Sequence, residues 1–133
     1  MTSTFKQVLC YIARNPSMTQ EQFYDHWKNK HAPLCVDWAH KYGIRGYMQI
    51  RAAGWVTPAD SNGKPLTEAP VEYDGIALFE VTSEELFNQA FEDEHFLHHI
   101  RPDEDRMLDR EAFGRGIIMT ASGEGLKIIT PKD

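Results

Sequence analysis

The sequence predicts an α+β fold in which a four-stranded antiparallel sheet carries its helices on one face. Three observations point to this class: the order of the apolar segments, two pairs of helix-capping residues, and a first strand that is apolar on both faces. The segments follow the order strand, helix, strand, strand, helix, strand, which is the split-βαβ arrangement. A chain of 133 residues can bury one core without disulfides or metals, so we expect a single domain over residues 1–133.

The first strand is predicted from Phe5 to Arg14, where apolar residues occupy both alternating faces. A strand with helices on one side and water on the other should instead alternate between apolar and polar residues. The second face must therefore be covered, and a second copy of the chain would cover it if two sheets packed back to back. We expect a homodimer.

A long amphipathic helix follows this strand. Thr19 and Gln22 have the spacing of a capping box, which predicts where the helix begins. Pro33 cannot donate a backbone hydrogen bond, so we expect a kink or a restart near Ala32. Gly43 then ends the helix in a left-handed conformation. The apolar positions recur every three or four residues on one face, namely Phe23, Tyr24, Trp27, Leu34, Cys35, Trp38 and Tyr42.

A second strand, Ile44 to Ala52, is followed by a segment rich in proline and glycine. Residues 53–72 have few periodic apolar positions, which predicts a long loop of the kind that often forms lids or partner contacts. Trp55 and Val56 are its expected apolar anchors.

The remaining elements complete the pattern. Tyr73 to Val81 is the third predicted strand, and Thr82 with Glu85 repeats the capping-box spacing at the start of the second helix. Pro102 marks a break and a restart in the helical stretch that follows. The last two predicted strands are Ile117 to Ala121 and a short one at Leu126 to Ile129.

Composition and charge exclude several function classes. The formal charge is −6 and the basic residues are scattered, which argues against nucleic acid or an anionic membrane as partner. The acidic residues between Glu80 and Glu111 are interpreted as a solvated helical surface. No apolar stretch has the length of a membrane span and no signal peptide is visible, so we expect a cytoplasmic protein. Cys10 and Cys35 are interpreted as small buried hydrophobic residues in a reducing compartment.

Motifs for cofactor chemistry are missing from the sequence. There is no glycine-rich phosphate loop, no Gly-x-Ser-x-Gly elbow and no Cys-x-x-Cys pair. Nucleotide, flavin, serine-hydrolase and thiol-redox chemistries are therefore disfavoured. His95 and His99 are four residues apart, as zinc ligands can be, but nothing at a ligand spacing completes such a site. We expect neither a metal nor a cofactor.

His31 is the principal candidate for chemistry because it lies at the centre of the apolar helical stripe, between Trp27 and Leu34. One interpretation is a core histidine whose ring nitrogens are satisfied by neighbours. The other is a cavity with one titratable group, which the aromatic neighbours favour. Burial would lower the imidazole pKa and keep a neutral base available near neutral pH.

A second histidine cluster and the strand tyrosines supply further candidates. One of His95, His98 and His99 is expected to face the pocket, with the others solvated. Tyr11, Tyr47 and Tyr73 extend from strands, and a tyrosine hydroxyl in the cavity could polarise a carbonyl or act as an acid. Core packing is the alternative for each tyrosine.

These residues resemble the EthD family. The segments that carry the resemblance are Met18 to Phe23, His26-Trp27, His31-Ala32-Pro33-Leu34, Tyr42-Gly43-Ile44 with Tyr47, and the set His99, Asp103 and Asp109. The family comprises dimeric α/β-barrel proteins of the ferredoxin-like superfamily, and the most similar branch comprises small fungal EthD-domain lyases of aromatic polyketide pathways. Members of that branch are described as dehydratases or decarboxylases that act without cofactors. The resemblance covers most of the chain except the 53–72 loop.

The resemblance implies a cofactor-free lyase that acts on an aromatic polyketide through histidine acid–base catalysis. His99 matches the family-like segment and is chosen with His31 as catalytic. The expected substrate-binding residues are Tyr11, Phe23, Trp27, Trp38, Tyr47 and His95. Dehydration is the first choice, and three alternatives stay open: decarboxylation of a β-keto acid, a cofactor-free monooxygenase, and a non-catalytic dimer that binds an apolar ligand.

Overall fold

The computed structural model describes residues 4–132, and the side chains of residues 4 and 119 also lie outside the description. Residues 1–3 and 133, which the single-domain expectation included, are not described. Four strands form one sheet, namely β1 (Thr4–Ile12), β2 (Ile44–Ile50), β5 (Gly75–Val81) and β6 (Ile117–Leu126). Their order is β2-β5-β1-β6, and every neighbouring pair is antiparallel. The predicted four-stranded antiparallel sheet is thus confirmed.

The helices pack against one face of this sheet, as predicted. They are α1 (Gln20–His26), α2 (Ala32–Lys41), α3 (Glu84–Ala90) and α4 (Arg101–Met107). A wide π-helical turn, Trp27–His31, joins α1 to α2, and a second one, Phe96–Ile100, precedes α4. We call these the first and second π-turns.

Two groups of buried residues form the core between helices and sheet. One group joins Trp38, Phe87 and Ile100 to Val8 and Val81. The other joins Phe23, Trp27 and Met107 to Ile12 and Ala77. Cys10 and Phe79 contact both groups, so the core is continuous beneath the central strands.

Local signals place the helix ends, with one correction. The Thr19 hydroxyl accepts a hydrogen bond from the Gln22 amide at 3.1 Å, and the Gln22 side chain accepts one from the Thr19 amide at 2.9 Å, so the capping box is confirmed. Gly43 has φ +68°, the predicted left-handed conformation. The prediction that Thr82 caps α3 is wrong by one residue: Ser83 is the cap, because the Thr82 hydroxyl instead donates to the Gly43 carbonyl at 2.7 Å.

The 53–72 segment and the C-terminal tail differ from expectation. Short strands β3 (Gly54–Val56) and β4 (Val71–Tyr73) pair and close the segment into a hairpin. Trp55 is 66% exposed because its position in β3 turns it outward, so it is not an apolar anchor. The separate strand at 126–129 is also wrong: pairing with β1 extends β6 without a break to Leu126, and residues 127–132 have no regular structure.

The outer face of the sheet carries apolar side chains. The side chains of Cys10, Ala77 and Phe79 point toward the helices. Because side chains alternate along a strand, their neighbours in β1 and β5 point the opposite way. The outward positions include Leu9, Tyr11, Met48, Ile76 and Leu78. Among residues 4–132, no helix is long and apolar enough to cross a membrane.

Candidate active site

His31 ends the first π-turn, and only 6% of its surface is exposed. The amide of Ala32 bonds to the Trp27 carbonyl, five residues back, where an α-helix would bond four residues back. Pro33 explains this wide turn, because its ring would clash with the carbonyl four residues earlier and it has no amide hydrogen to donate. The predicted restart near Ala32 is confirmed, and it directs His31 inward.

Asp103 lies just after the corresponding irregularity on the other helical segment. The second π-turn precedes Pro102 just as the first precedes Pro33, and the Arg101 amide bonds to the Phe96 carbonyl. Asp103 follows the proline and is 5% exposed. Two helical segments with the same local irregularity therefore bring a histidine and a carboxylate together.

The Asp103 carboxylate bridges two histidines. His31 Nδ1 lies 2.8 Å from Asp103 Oδ2, and His26 Nε2 lies 2.9 Å from Oδ1. The Arg106 guanidinium approaches Oδ1 at 3.6 Å from the solvent side. Because an ionised carboxylate only accepts hydrogen bonds, Nδ1 of His31 must carry a proton. Neutral His31 then has its free lone pair on Nε2.

The environment keeps His31 neutral. Burial lowers the pKa of His31, and the hydrogen bond and charge of Asp103 oppose that shift without overcoming it. The Cys35 thiol lies 3.7 Å from Nε2, and burial raises the pKa of Cys35 to about 12. A protonated thiol is a weak donor, so it leaves the basicity of Nε2 largely intact.

A cavity of about 220 Å³ borders His31. We call it the inner cavity. Its walls come from the helices and from the inward face of the sheet, and most of them are apolar. The lining residues are Cys10, Ile12, Trp27, His31, Tyr47, Ala77, Phe79, Phe87, Phe91, Glu104, Met107, Leu108, Ile117 and Thr120. His31 therefore borders a void and is not enclosed by solid core, which is the arrangement that a catalytic interpretation requires.

Glu104 is the second ionisable group of the cavity wall that can exchange a proton near neutrality. Burial raises the pKa of Glu104 from 4.5 to about 7, while the positive charge of Arg110 opposes the shift. The Arg110 Nη2 atom lies 3.5 Å from Glu104 Oε1. At neutral pH a large fraction of Glu104 is therefore protonated and can donate a proton into the cavity.

Tyr47 supplies a hydroxyl that stays protonated. Burial raises the pKa of Tyr47, and the Gln49 side chain donates a hydrogen bond to its hydroxyl at 3.0 Å. The same Gln49 nitrogen donates to the Trp27 carbonyl at 2.9 Å, which fixes the amide in place. Burial also raises the pKa of Cys10 to about 11, so this cavity thiol is not a nucleophile at neutral pH.

Two of the expected substrate-binding residues, Trp27 and Tyr47, line the inner cavity. Phe23 does not, because it is completely buried and its ring stacks on Trp27 at 5.5 Å. Trp38 belongs to the other core group, where its indole donates to the Ala90 carbonyl at 2.7 Å. Tyr11 is on the outer sheet face, edge-on to Tyr73, since strand alternation turns Cys10 and Ile12 inward.

The expectation that His95, His98 or His99 faces the pocket is corrected by their positions. All three are exposed, because the second π-turn directs Phe96 and Ile100 into the core and leaves the histidines outside. The His95 ring bonds to the Leu34 carbonyl at 2.7 Å and lies 5.0 Å from the His99 ring. His99 therefore does not border the inner cavity.

Sequence reasoning missed Glu104 and gave Asp103 no role. Both belong to the acidic stretch that was interpreted as a solvated surface, yet Asp103 is buried and the Glu104 side chain is only 18% exposed. The one available signal is Pro102, which interrupts its helical segment as Pro33 interrupts the segment that contains His31. Within residues 4–132, no three His, Cys, Asp or Glu side chains converge as a metal site requires.

Comparison with known proteins bears on the fold. The sequence model of the EthD domain matches residues 15–111. Among solved structures, HapK from Hahella chejuensis superposes with a TM-score of 0.61 at 14% identity, covering 96% of this chain and 99% of that one. An ethyl tert-butyl ether D (EthD) family protein from Bacillus halodurans C-125 superposes with a TM-score of 0.52 at 16% identity, covering 95% of this chain and 100% of that one. No curated protein gives a significant match.

Proposed function

This chain belongs to the EthD-domain family, and we propose that it is a cofactor-independent lyase, a dehydratase of an aromatic polyketide intermediate. One observation carries the proposal: a neutral imidazole and a protonatable carboxyl group, His31 and Glu104, border the same largely apolar cavity. Environments that keep a base and an acid neutral at the same pH are typical of acid–base active sites.

The proposed reaction removes water from a hydroxylated ring ketone. Nε2 of His31 takes a proton from the carbon next to the carbonyl, and the Tyr47 hydroxyl donates a hydrogen bond to the carbonyl oxygen as negative charge develops there. Glu104 protonates the departing hydroxyl group, so that water leaves and the ring gains a double bond. The proton on His31 and the carboxylate of Glu104 then return to their starting states through solvent.

Asp103 is a positioning residue in this scheme. Its bond to Nδ1 holds the tautomer in which Nε2 is free, and its charge stabilises the imidazolium that forms. The His26 ring is hydrogen-bonded to the other carboxylate oxygen of Asp103, which keeps the carboxylate from rotating. General acid–base assistance of this kind is worth roughly 10²–10⁴ in rate, which suits a reaction that aromatisation already favours.

The cavity walls support an aromatic substrate. Trp27, Phe79 and Phe87 offer flat apolar surface beside the few polar groups, a pattern typical of sites that bind apolar rings. The polyketide class itself is supported by the resemblance of the His31 segment to the fungal lyase branch. We further propose that the protein acts as a homodimer joined through the outer sheet face.

The test is turnover of a synthetic ring β-hydroxy ketone under anaerobic conditions, followed by ultraviolet absorbance and by the mass of the product. We expect loss of one water, and we expect His31→Gln to reduce turnover by roughly 10²-fold or more, because the base is removed. His98→Gln is the matched control, since His98 is an exposed histidine outside the cavity, and it should retain wild-type turnover.

Three outcomes would contradict the proposal. Equal turnover in wild type and His31→Gln would show that His31 is not the base. If the protein removed carbon dioxide from a β-keto acid analogue, while that analogue lost water no faster than it does in buffer alone, the site would be assigned to decarboxylation. A strict requirement for oxygen would indicate a monooxygenase.

A further inference from the structure

A second pocket, of about 580 Å³, lies on the other side of the inner-cavity wall. Phe91, Glu104 and Ile117 line both spaces, so the two adjoin. We call the second space the arginine pocket. The rest of its lining comes from Phe96, Arg101, Asp105, Arg110, Gly114 and Arg115.

The arginine pocket has the opposite sign of charge to the whole protein. The chain carries a net charge of −6, yet three guanidinium groups gather here from α4, from the loop after it, and from the 3-10 turn Phe113–Gly116. Arg110 already has two carboxyl partners: its Nε lies 2.8 Å from Asp105 Oδ1, and its Nη2 lies 3.5 Å from Glu104 Oε1. Among residues 4–132, no carboxylate lies within 4.0 Å of the other two guanidinium groups.

Local contacts act on the side chain of Arg101 and on the backbone of Arg115. The Arg101 guanidinium lies over the Phe96 ring, 5.5 Å from its centroid. Arg115 has φ +57°, in the left-handed region that non-glycine residues rarely adopt. Arg110 stabilises this conformation by donating from Nη1 to the Arg115 carbonyl at 2.9 Å. The contact with Phe96 thus orients the Arg101 side chain, and the bond from Arg110 fixes the backbone from which the Arg115 side chain extends.

We propose that the arginine pocket binds the carboxylate of an aromatic ligand whose ring occupies the inner cavity. A guanidinium presents paired N–H donors that match a carboxylate. Arg110 is paired with Asp105 and Glu104, which leaves the guanidinium groups of Arg101 and Arg115 to bind the two oxygens of one carboxylate. The proposal rests on the proposed function, because that function places the ring in the inner cavity.

The proposal also assigns the fate of the carboxylate. Losing carbon dioxide requires that the carboxylate give up its charge, and cationic partners in a solvated pocket stabilise that charge. A carboxylate bound by Arg101 and Arg115 is therefore retained while water leaves from the ring. The substrate class is a hydroxylated ring ketone that bears a carboxylate as a binding group.

The experiment measures the binding of three matched probes, 2-naphthoate, 2-naphthol and 2-naphthyl phosphate, by isothermal titration calorimetry at neutral pH. We expect 2-naphthoate to bind wild type at least about tenfold more tightly than neutral 2-naphthol does. The double variant Arg101→Gln with Arg115→Gln should lose about tenfold or more in naphthoate affinity and change naphthol affinity by less than about twofold. Arg51→Gln, which removes an exposed arginine outside both spaces, is the matched control and should leave both affinities unchanged.

The outcomes separate this proposal from the proposed function. If naphthol bound and the double variant kept the naphthoate affinity of wild type, the carboxylate-binding role of the arginine pocket would be overturned. The ring-binding role of the inner cavity would stand. Tighter binding of naphthyl phosphate than of naphthoate would overturn the assignment to a carboxylate. Failure of every probe to bind wild type would overturn the aromatic cavity, and with it both proposals.

Discussion

Burial displaces the pKa values of His31 and Glu104 in opposite directions. An apolar wall penalises the charged form of any group, so it lowers the pKa of the imidazole and raises that of the carboxyl group. Asp103 opposes the pKa shift of His31, and Arg110 opposes the pKa shift of Glu104, so each limits the size of that shift. Both cavity groups are consequently neutral over a shared pH range, which lets one act as base while the other acts as acid.

The raised pKa of Glu104 has a consequence for stability that Glu104→Gln tests. A carboxyl group whose pKa is higher in the folded state binds more protons there, so its stabilising contribution is complete below about pH 4.5 and is lost as the pH rises through about 7. Glutamine resembles the neutral acid and does not titrate. We therefore expect the variant to match wild type near pH 4.5 and to exceed its free energy of unfolding by roughly 2–3 kcal/mol at pH 8.

Urea unfolding at several pH values measures this difference. Glu85→Gln, which removes an exposed carboxylate of α3, is the control and should show no such pH-dependent gain. If Glu104→Gln were no more stable than wild type at pH 8, Glu104 would not be desolvated in the folded protein.

The two cavity groups also differ in how well the sequence could predict them. His31 was predictable because one helical stripe contains it, so local periodicity alone places it inside. Glu104 and Asp103 occupy a segment dense in charged residues, where periodicity favours solvent, and only the crossing of two helical segments buries them. The choice of His99 failed as a cavity position because the second π-turn fixes which side of the helix faces inward.

The two π-turns are the elements that build the site. Each ends two residues before a proline, and a functional side chain lies near each proline: His31 is two residues before Pro33, and Asp103 directly follows Pro102. The prolines allowed the sequence to predict where both helices are interrupted. A kink and a π-turn meet the steric demand of proline equally well, so the sequence could not specify which would form or how the side chains would be directed.

The strand beneath the first π-turn sets the position of the Trp27 wall, and Gly75→Ala tests this contact. A Cβ atom at Gly75 would lie 2.9 Å from the Trp27 ring, and real Cβ atoms do not approach that closely. The indole would have to move into the inner cavity. We expect a loss of about 1–3 kcal/mol in unfolding free energy and at least about tenfold weaker binding of 2-naphthol.

Gly123→Ala is the matched control in the same sheet, because nothing lies within 4 Å of a Cβ atom at that position of β6. Thermal unfolding and calorimetric titration of the two variants together check the prediction. Equal stability and equal naphthol affinity for Gly75→Ala would show that Trp27 does not form a fixed wall.

At the scale of the whole molecule, the order of elements was enough to predict the sheet. Split-βαβ connectivity leaves few ways to pair four strands, and the predicted class is the one observed. The hairpin of β3 and β4 was not predictable, because proline and glycine dominate its loop and three-residue strands carry little periodic signal. β6 extends through a glycine-rich stretch only because β1 pairs with it along its length.

The outer sheet face determines the expected assembly, and Met48→Lys tests it. Met48 is 57% exposed and lies opposite Leu78, on the edge strand that borders the outward apolar positions of β5 and β1. A homodimer that packs two such faces together would bury Met48, and a lysine there would place unpaired charge in the interface. We expect native mass spectrometry to show a dimer for wild type and a monomer for Met48→Lys.

Leu66→Lys separates this effect from a general effect of adding charge. Leu66 is 52% exposed in the 53–72 segment and belongs to no strand of the four-stranded sheet, so we expect its substitution to leave the dimer intact. The groups of the proposed site, His31, Tyr47 and Glu104, all belong to the same chain, so we expect the monomeric variant still to bind 2-naphthol. A monomeric wild type, or a Met48→Lys variant that remains dimeric, would mean that the outward residues of β1, β2 and β5 serve some purpose other than self-association.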